Sequence, residues 1–269
     1  MNEIAYSDEF LKLKMEFDML KERVANQIEL HQHLVTVVGP NLKCHYMLEI
    51  GQFENRVYEL KTSVSRWQRR FTLRQIALNR GENPNYAEIE VELDKEFQEY
   101  MEKIKQHIAD LKEASALYHS VKFSDEETTA IRNAYLDAVK KLHPDLNPDL
   151  PQDAVDLWHQ IQKAYEERDW GNVKFLAELV NDVVSGKAGF KDDANGIEEL
   201  KRRIAALKDR SAEVSKRTAD LRAHVPFTYE EFLDDEEEVK LRKSQLMTQI
   251  EQLESAIKEY EKLWRENLQ

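Results

Sequence analysis

A single cysteine, Cys44, in 269 residues leaves no partner for an internal disulfide. A chain without that cross-link fits a reducing compartment. Glycine and proline are scarce as well, at seven and six. A helix interior tolerates these two residues least, so their rarity points to long uninterrupted helices. No apolar run approaches the roughly 18 residues of a membrane span. The start MNEIAYSDEF lacks the charged-then-apolar order of a secretory signal, and a cytoplasmic location is the expectation. Positive charge is in deficit: the net charge is −13 and the isoelectric point lies near 5.2. That balance argues against generic binding to nucleic acid or an anionic membrane. There is no glycine loop to cradle phosphate, no G-x-S-x-G, no H-E-x-x-H, and no carboxylate pair beyond those of any charged helix surface. The chain is therefore expected not to be an enzyme and to carry no cofactor.

What the chain does have is periodicity. Apolar residues make up 41%, too many for a disordered chain, and they recur by threes and fours. Phe10, Leu13, Phe17, Leu20 and Val24 form one stripe, continued less cleanly by Leu34 and Val38. A second runs Tyr46, Ile50, Phe53, Val57, Leu60, Val64, Trp67 and Phe71, and a third Ile89, Leu93, Tyr100, Ile104, Ile108 and Leu111. Such stripes must pack on other helices. The glycines and prolines place breaks near 39–40, 81–84, 143–152, 185–196 and 223–228. Short turns between long helices favour antiparallel neighbours, so residues 1–120 are expected to form a long helical hairpin or bundle.

Beyond the glycine-bearing stretch 185–196, read as a linker, two more seams appear. Ile197, Leu200, Ile204, Leu207, Val214 and Leu221 lie on one, interrupted by Ser211 and Thr218. Val239, Leu246, Ile250, Leu253, Ile257, Tyr260 and Trp264 lie on the other. Two such helices around one bend predict an antiparallel coiled-coil hairpin over 197–269. Arg217 and Arg222 before the bend would face the acidic run Glu230, Glu231, Asp234, Asp235 and Glu236 after it. The class expected overall is all-α, with long antiparallel hairpins flanking a shorter segment at 121–184, and seams that allow self-association.

That shorter segment has its own punctuation. Ser124 is a good N-cap, with Asp125, Glu126 and Glu127 at the favourable end of the helix dipole and Lys140 and Lys141 at the other. Ile131, Tyr135, Ala138, Val139 and Leu142 share a face. The helix is expected to stop at His143, because a residue before proline is pushed out of the α region. A loop, LNPDLPQD, leads to a second amphipathic helix carrying Val155, Trp158, Ile161 and Tyr165.

AYLDAVKKLHPDLNPD followed by LWHQIQKAYEE resembles the J-domain of DnaJ-type co-chaperones over about residues 116–180. The resemblance rests on His143-Pro144-Asp145 standing between Ala134-Tyr135 and Ala164-Tyr165-Glu166. It implies helix II, an exposed loop and helix III. It also implies docking of His143, Pro144 and Asp145 on a seventy-kilodalton heat-shock chaperone of the DnaK type, whose ATP hydrolysis is stimulated allosterically. Arg132, Lys140 and Lys141 would supply the basic surface, and Asp145 would pair with an arginine of the partner. The family usually has two basic residues directly after the Ala-Tyr pair, where this chain has Leu136 and Asp137. Its short first helix is not recognisable here, and ALYHSVKF at 116–123 stands in that place. The implied function is an atypical J-domain co-chaperone or chaperone-linked adaptor whose helical arms hold a client or scaffold. The alternative is a structural coiled-coil protein with a degenerate, non-stimulating J-like hairpin.

Two other groupings stand out in the sequence. His31, His33, Cys44 and His45 are zinc-type ligands that a turn at Gly39-Pro40 would gather, but their spacing matches no closed zinc site. Lys61, Arg66, Arg69, Arg70, Arg74 and Arg80 run without an acidic residue among them, beside Trp67 and Phe71. They are expected to face solvent or the acidic 230–238 run rather than nucleic acid.

Overall fold

The computed structural model describes residues 7–118, 124–183 and 190–267. Among these the fold is all-α, helices joined by short loops, with no strand. None of the described helices is long and apolar enough to cross a membrane. By its internal contacts the chain divides into two units, residues 1–40 with 121–227 and residues 41–120 with 228–269.

Helix α1 (Asp8–His33) starts on Ser7, whose hydroxyl accepts the Phe10 N–H at 3.3 Å. A π turn (Leu34–Val38), α2 (Gly39–Tyr46), a second π turn (Met47–Gly51) and α3 (Gln52–Asn79) follow without interruption. The break expected at Gly39-Pro40 is absent, and Gly39 is itself helical at φ −58°, ψ −52°. The widened turn just before Pro40 gives its ring room. Proline has no N–H to offer the carbonyl four residues back, which is that of Thr36. Arg168 fills the vacancy, its Nε donating to the Thr36 oxygen at 2.9 Å and its Nη2 donating to the same atom. A side chain at Gly39 would lie 3.2 Å from both the Leu34 carbonyl and the Phe227 ring, so this position takes glycine for space.

The first unit packs α1 with α5 (Asp125–Leu142), α6 (Gln152–Glu166), α7 (Trp170–Glu178), α8 (Val180–Val183) and α9 (Ala194–Arg222). One core joins them: Phe17 and Val24 from α1, Tyr135 and Leu142 from α5, Ile161 and Tyr165 from α6, Val173 from α7, and Leu200 and Leu207 from α9. Helices α5 and α6 form an antiparallel hairpin in which the Tyr135 and Tyr165 rings stand 4.1 Å apart. Helix α9 lies along α1 in the same direction, since Lys201 meets Glu9, Lys208 meets Glu16, Ser215 meets Gln27 and Thr218 meets His31.

In the second unit α3 and α4 (Tyr86–Tyr118) form the helical hairpin expected around 81–84. Gly81, at φ +74°, adopts the left-handed conformation that ends α3. Arginines of the basic run pair across it: Arg66 with Glu90 and Asp94, Arg69 with Glu96, and Arg70 with Glu90. Their acidic partners are thus on α4, not in the 230–238 run. Helix α10 (Glu230–Asp234) leads to α11 (Glu236–Glu266), which runs parallel to α3. Arg242 reaches Glu54, Glu254 reaches Arg56, Tyr260 reaches Gln68 and the Asn267 carbonyl reaches Arg74. The buried clusters here are small. Ile50, Val57, Val239 and Leu246 form one, and Ile89, Leu93 and Phe97 another. Tyr100 and Ile108 of the third stripe are exposed. Trp67, Phe71 and Tyr86 each meet Trp264 edge to face, Tyr260 meets Phe71 at a tilt, and the Arg70 guanidinium lies 4.1 Å from the Trp67 ring.

The antiparallel hairpin expected over 197–269 is therefore corrected: the α9 seam packs on α1 and the α11 seam on α3. A heptad stripe requires an apolar partner but does not name it, and a second long helix was available to each. The expected divisions at 1–120, 121–184 and 197–269 give way to units that each draw on both halves of the chain. Of the linker expected at 185–196, residues 184–189 lie outside the described residues, as do 119–123 of the ALYHSVKF stretch. Gly196 belongs to the first turn of α9, where the Asp193 carboxylate accepts its N–H at 2.7 Å. A Cβ there would stand 2.0 Å from the Lys191 carbonyl oxygen.

Candidate functional site

The loop 143–151 is built by its flanks. Helix α5 begins in a full capping box between Ser124 and Glu127 and ends at His143, which is extended at ψ 127° as the following proline requires. The His143 carbonyl then accepts the N–H groups of Leu146 and Asn147, at 3.0 and 2.9 Å, closing a tight turn. Leu146 and Asn147 are buried, whereas Pro144, Asp145, Pro148 and Asp149 are exposed. The buried Asn147 amide donates to the Lys140 carbonyl at 3.0 Å, and its oxygen accepts from Lys21 of α1 at 2.8 Å.

His143 departs from the exposed loop implied by the resemblance. Its side chain is 13% exposed and its ring meets Trp158 of α6 edge to face at 5.1 Å. The Asp145 N–H donates to Nδ1 at 3.1 Å, which holds the ring neutral with its proton on Nε2. Burial lowers the pKa of this imidazole, Arg210 lowers it further, and Asp145 opposes them. The 3.6 Å approach of the Asp145 carboxylate to Nδ1 is accordingly no salt bridge.

Asp145 is already paired. Its Oδ2 lies 2.5 Å from Nε of Arg210 on α9. The N–H is not aligned as a hydrogen bond, so the contact is a charge pair. Arg210 also donates to Glu213 at 2.8 Å. One heptad earlier on α9, Arg203 holds Asp149 of the same loop at 2.5 Å. The loop's three alternate polar residues, Asp145, Asn147 and Asp149, thus each meet a cation.

The basic residues of α5 are engaged as well. Arg132 binds Glu29 of α1 through two nitrogens, at 2.7 and 2.9 Å, and the Glu29 side chain is only 6% exposed. Lys140 pairs with Glu22 at 2.6 Å, and Lys141 with Asp137 at 2.6 Å and Asn181 at 2.9 Å. Leu136, where the J-domain family has a basic residue, packs against the core. The six residues singled out in sequence run along α5 and into the loop that follows it, and α1 and α9 engage three of them, Arg132, Lys140 and Asp145, in ion pairs.

Arg203, Arg210, Lys21 and Glu29 also face this helix and loop, and none of them is among the site residues that the sequence suggests. A signal for the arginines exists: Arg203, Arg210 and Arg217 repeat every seven residues beside the α9 seam, the place where charged residues choose a partner helix. The zinc-type residues do not converge. His31 bonds Thr218, His33 bonds the Tyr165 hydroxyl, and Cys44 is buried with its Sγ 2.9 Å from the Ala114 carbonyl oxygen. Among the described residues, no three His, Cys, Asp or Glu side chains stand where they could hold a metal ion. No family model matches the chain, and neither a curated protein nor a solved structure matches it.

Proposed function

We propose that the chain is an atypical J-domain co-chaperone, or an adaptor linked to such a chaperone, and that it performs no chemistry of its own. It contacts a DnaK-type seventy-kilodalton heat-shock chaperone through His143, Pro144 and Asp145, and its long helices carry a protein client or scaffold. The observation that carries this reading is the α5–α6 hairpin. The His-Pro-Asp turn sits at its tip, and the tyrosines of the two flanking Ala-Tyr pairs stack in its core at 4.1 Å. Pro144 and Asp145 are exposed there, as a docking loop needs. A second reading, a structural helical protein whose J-like hairpin is inert, draws support from the internal pairing of Asp145, Arg132, Lys140 and Lys141.

Single-turnover ATP hydrolysis by the cognate chaperone separates the two. The full chain should accelerate hydrolysis, and Asp145→Asn should abolish the acceleration while leaving the helical signal intact. His143→Gln should do the same at a stability loss of about 1 kcal/mol, because the ring is packed on Trp158. Absence of acceleration by the unaltered chain, across a wide concentration range, leaves the structural reading in its place.

A further inference from the structure

We infer that Arg210, seconded by Arg203, is an intramolecular competitor for the docking loop, so that the chaperone binds only after this clamp opens; the inference rests on the co-chaperone reading above. A carboxylate that is to receive a partner's arginine is here already beside a guanidinium, 2.5 Å away. The two arginines stand seven residues apart on α9, roughly 10 Å along one face of the helix, and grip two exposed aspartates of the loop, one on either side of the buried Leu146 and Asn147. Neither arginine belongs to the apolar seam, which Leu200, Ile204, Leu207 and Val214 form against α1. Opening the clamp therefore leaves the helix seated.

Arg210 has somewhere to go. Glu213 lies one turn along α9, already at 2.8 Å from Nη1, and it also receives Arg217 at 2.5 Å. The guanidinium can pass wholly to Glu213 as a partner arginine arrives at Asp145, and no charge is stranded in the exchange. The clamp lowers apparent affinity by the fraction of time that Asp145 is released. A half-exposed ion pair sets the scale of that effect at about two- to fivefold.

The test is the chaperone's single-turnover ATPase at sub-saturating full-length protein, with the half-saturation concentration measured for each variant. Arg210→Gln should lower that concentration about two- to fivefold. Arg210→Lys, which keeps the charge and loses the fork, should fall between it and the unaltered chain. Glu213→Gln removes the alternative seat and should raise the half-saturation concentration. Helicity and melting are recorded for each, and Arg210→Lys serves as the reading if Arg210→Gln does not fold. An unaltered chain that stimulates, with arginine variants that stimulate equally or less, overturns the clamp and leaves the co-chaperone reading standing. Failure of the unaltered chain and every variant to stimulate overturns both.

Discussion

The unit of residues 1–40 and 121–227 is a bundle in which six of the described helices contribute to one buried cluster. The unit of residues 41–120 and 228–269 is a thin layer: α3 lies between α4 and α11, its buried clusters hold only a few residues each, and ion pairs and an aromatic end group do much of the joining. The same raw material, long amphipathic helices, underlies both. The difference is that α5 to α8 are short and turn back on themselves, so their stripes enclose a volume. A long helix beside another can only share a line. Exposed ion pairs add little each, about 0.2–1 kcal/mol, so the layered unit should open locally where the bundle fails as a whole.

The largest expected effect tests that contrast directly. Ile161 and Leu93 are both fully buried, one in each unit. Ile161→Ala should destabilise the bundle by about 3 kcal/mol and lower amide-exchange protection together in α1, α5, α6 and α9. Leu93→Ala should lose about 2 kcal/mol, with the fall in protection confined to α3 and α4, because a thin layer relaxes around the cavity. Protection lost to the same extent and over the same breadth in both variants would erase the distinction.

A smaller effect concerns the bond that allows α1 to run on through Pro40. Arg168 is the αL residue of a Schellman ending on α6, with the Asp169 N–H on the Ala164 carbonyl at 2.9 Å and its own N–H on that of Tyr165 at 3.2 Å. Arg168→Ala keeps the left-handed strain and loses the bond to the Thr36 carbonyl, a loss of about 1–2 kcal/mol. Arg168→Gly loses the bond but relieves the strain, and should be more stable than the alanine variant by about 1 kcal/mol. Chemical denaturation of the two variants reads the difference, and an alanine variant as stable as the glycine one refutes it.

The least effect is expected from pH. In the bundle His31, His33 and His143 all titrate below the ordinary imidazole range, chiefly through burial, with Arg217, Arg132 and Arg210 acting in the same direction on each in turn. Their charged forms are disfavoured in the fold, so the unfolded chain binds protons that the folded chain does not. Stability is then fully present above about pH 6.5 and declines as the pH falls below it. Glu199, held down to about 2 by Arg202 and Arg203, titrates far outside that window. Urea unfolding at pH 7.5 and 5.5 should show a lower midpoint for this unit at the acid pH, and an unchanged or higher midpoint contradicts the assignment.

Much of this was legible in the residues. The stripe of α1, the capping box at Ser124, the stop at His143 and the hairpin turn near 81–84 follow from local rules, because each depends on side chains within a turn or two of one another. The His-Pro-Asp turn between two tyrosine-bearing helices was legible for the same reason. The helical passage through Gly39-Pro40 was not, since it relies on Arg168, distant in sequence, to satisfy one carbonyl. Nor was the occupied state of the loop: Asp145 and Arg210 are 65 positions apart, and only the packing of α9 on α1 brings them together. A sequence determines which face of each helix must be buried, because that depends on spacing alone. Which helix covers that face, in which direction, and which carboxylates it reaches were decided by tertiary structure, where one apolar stripe accepts many partners and the paired charges depend on the one it meets.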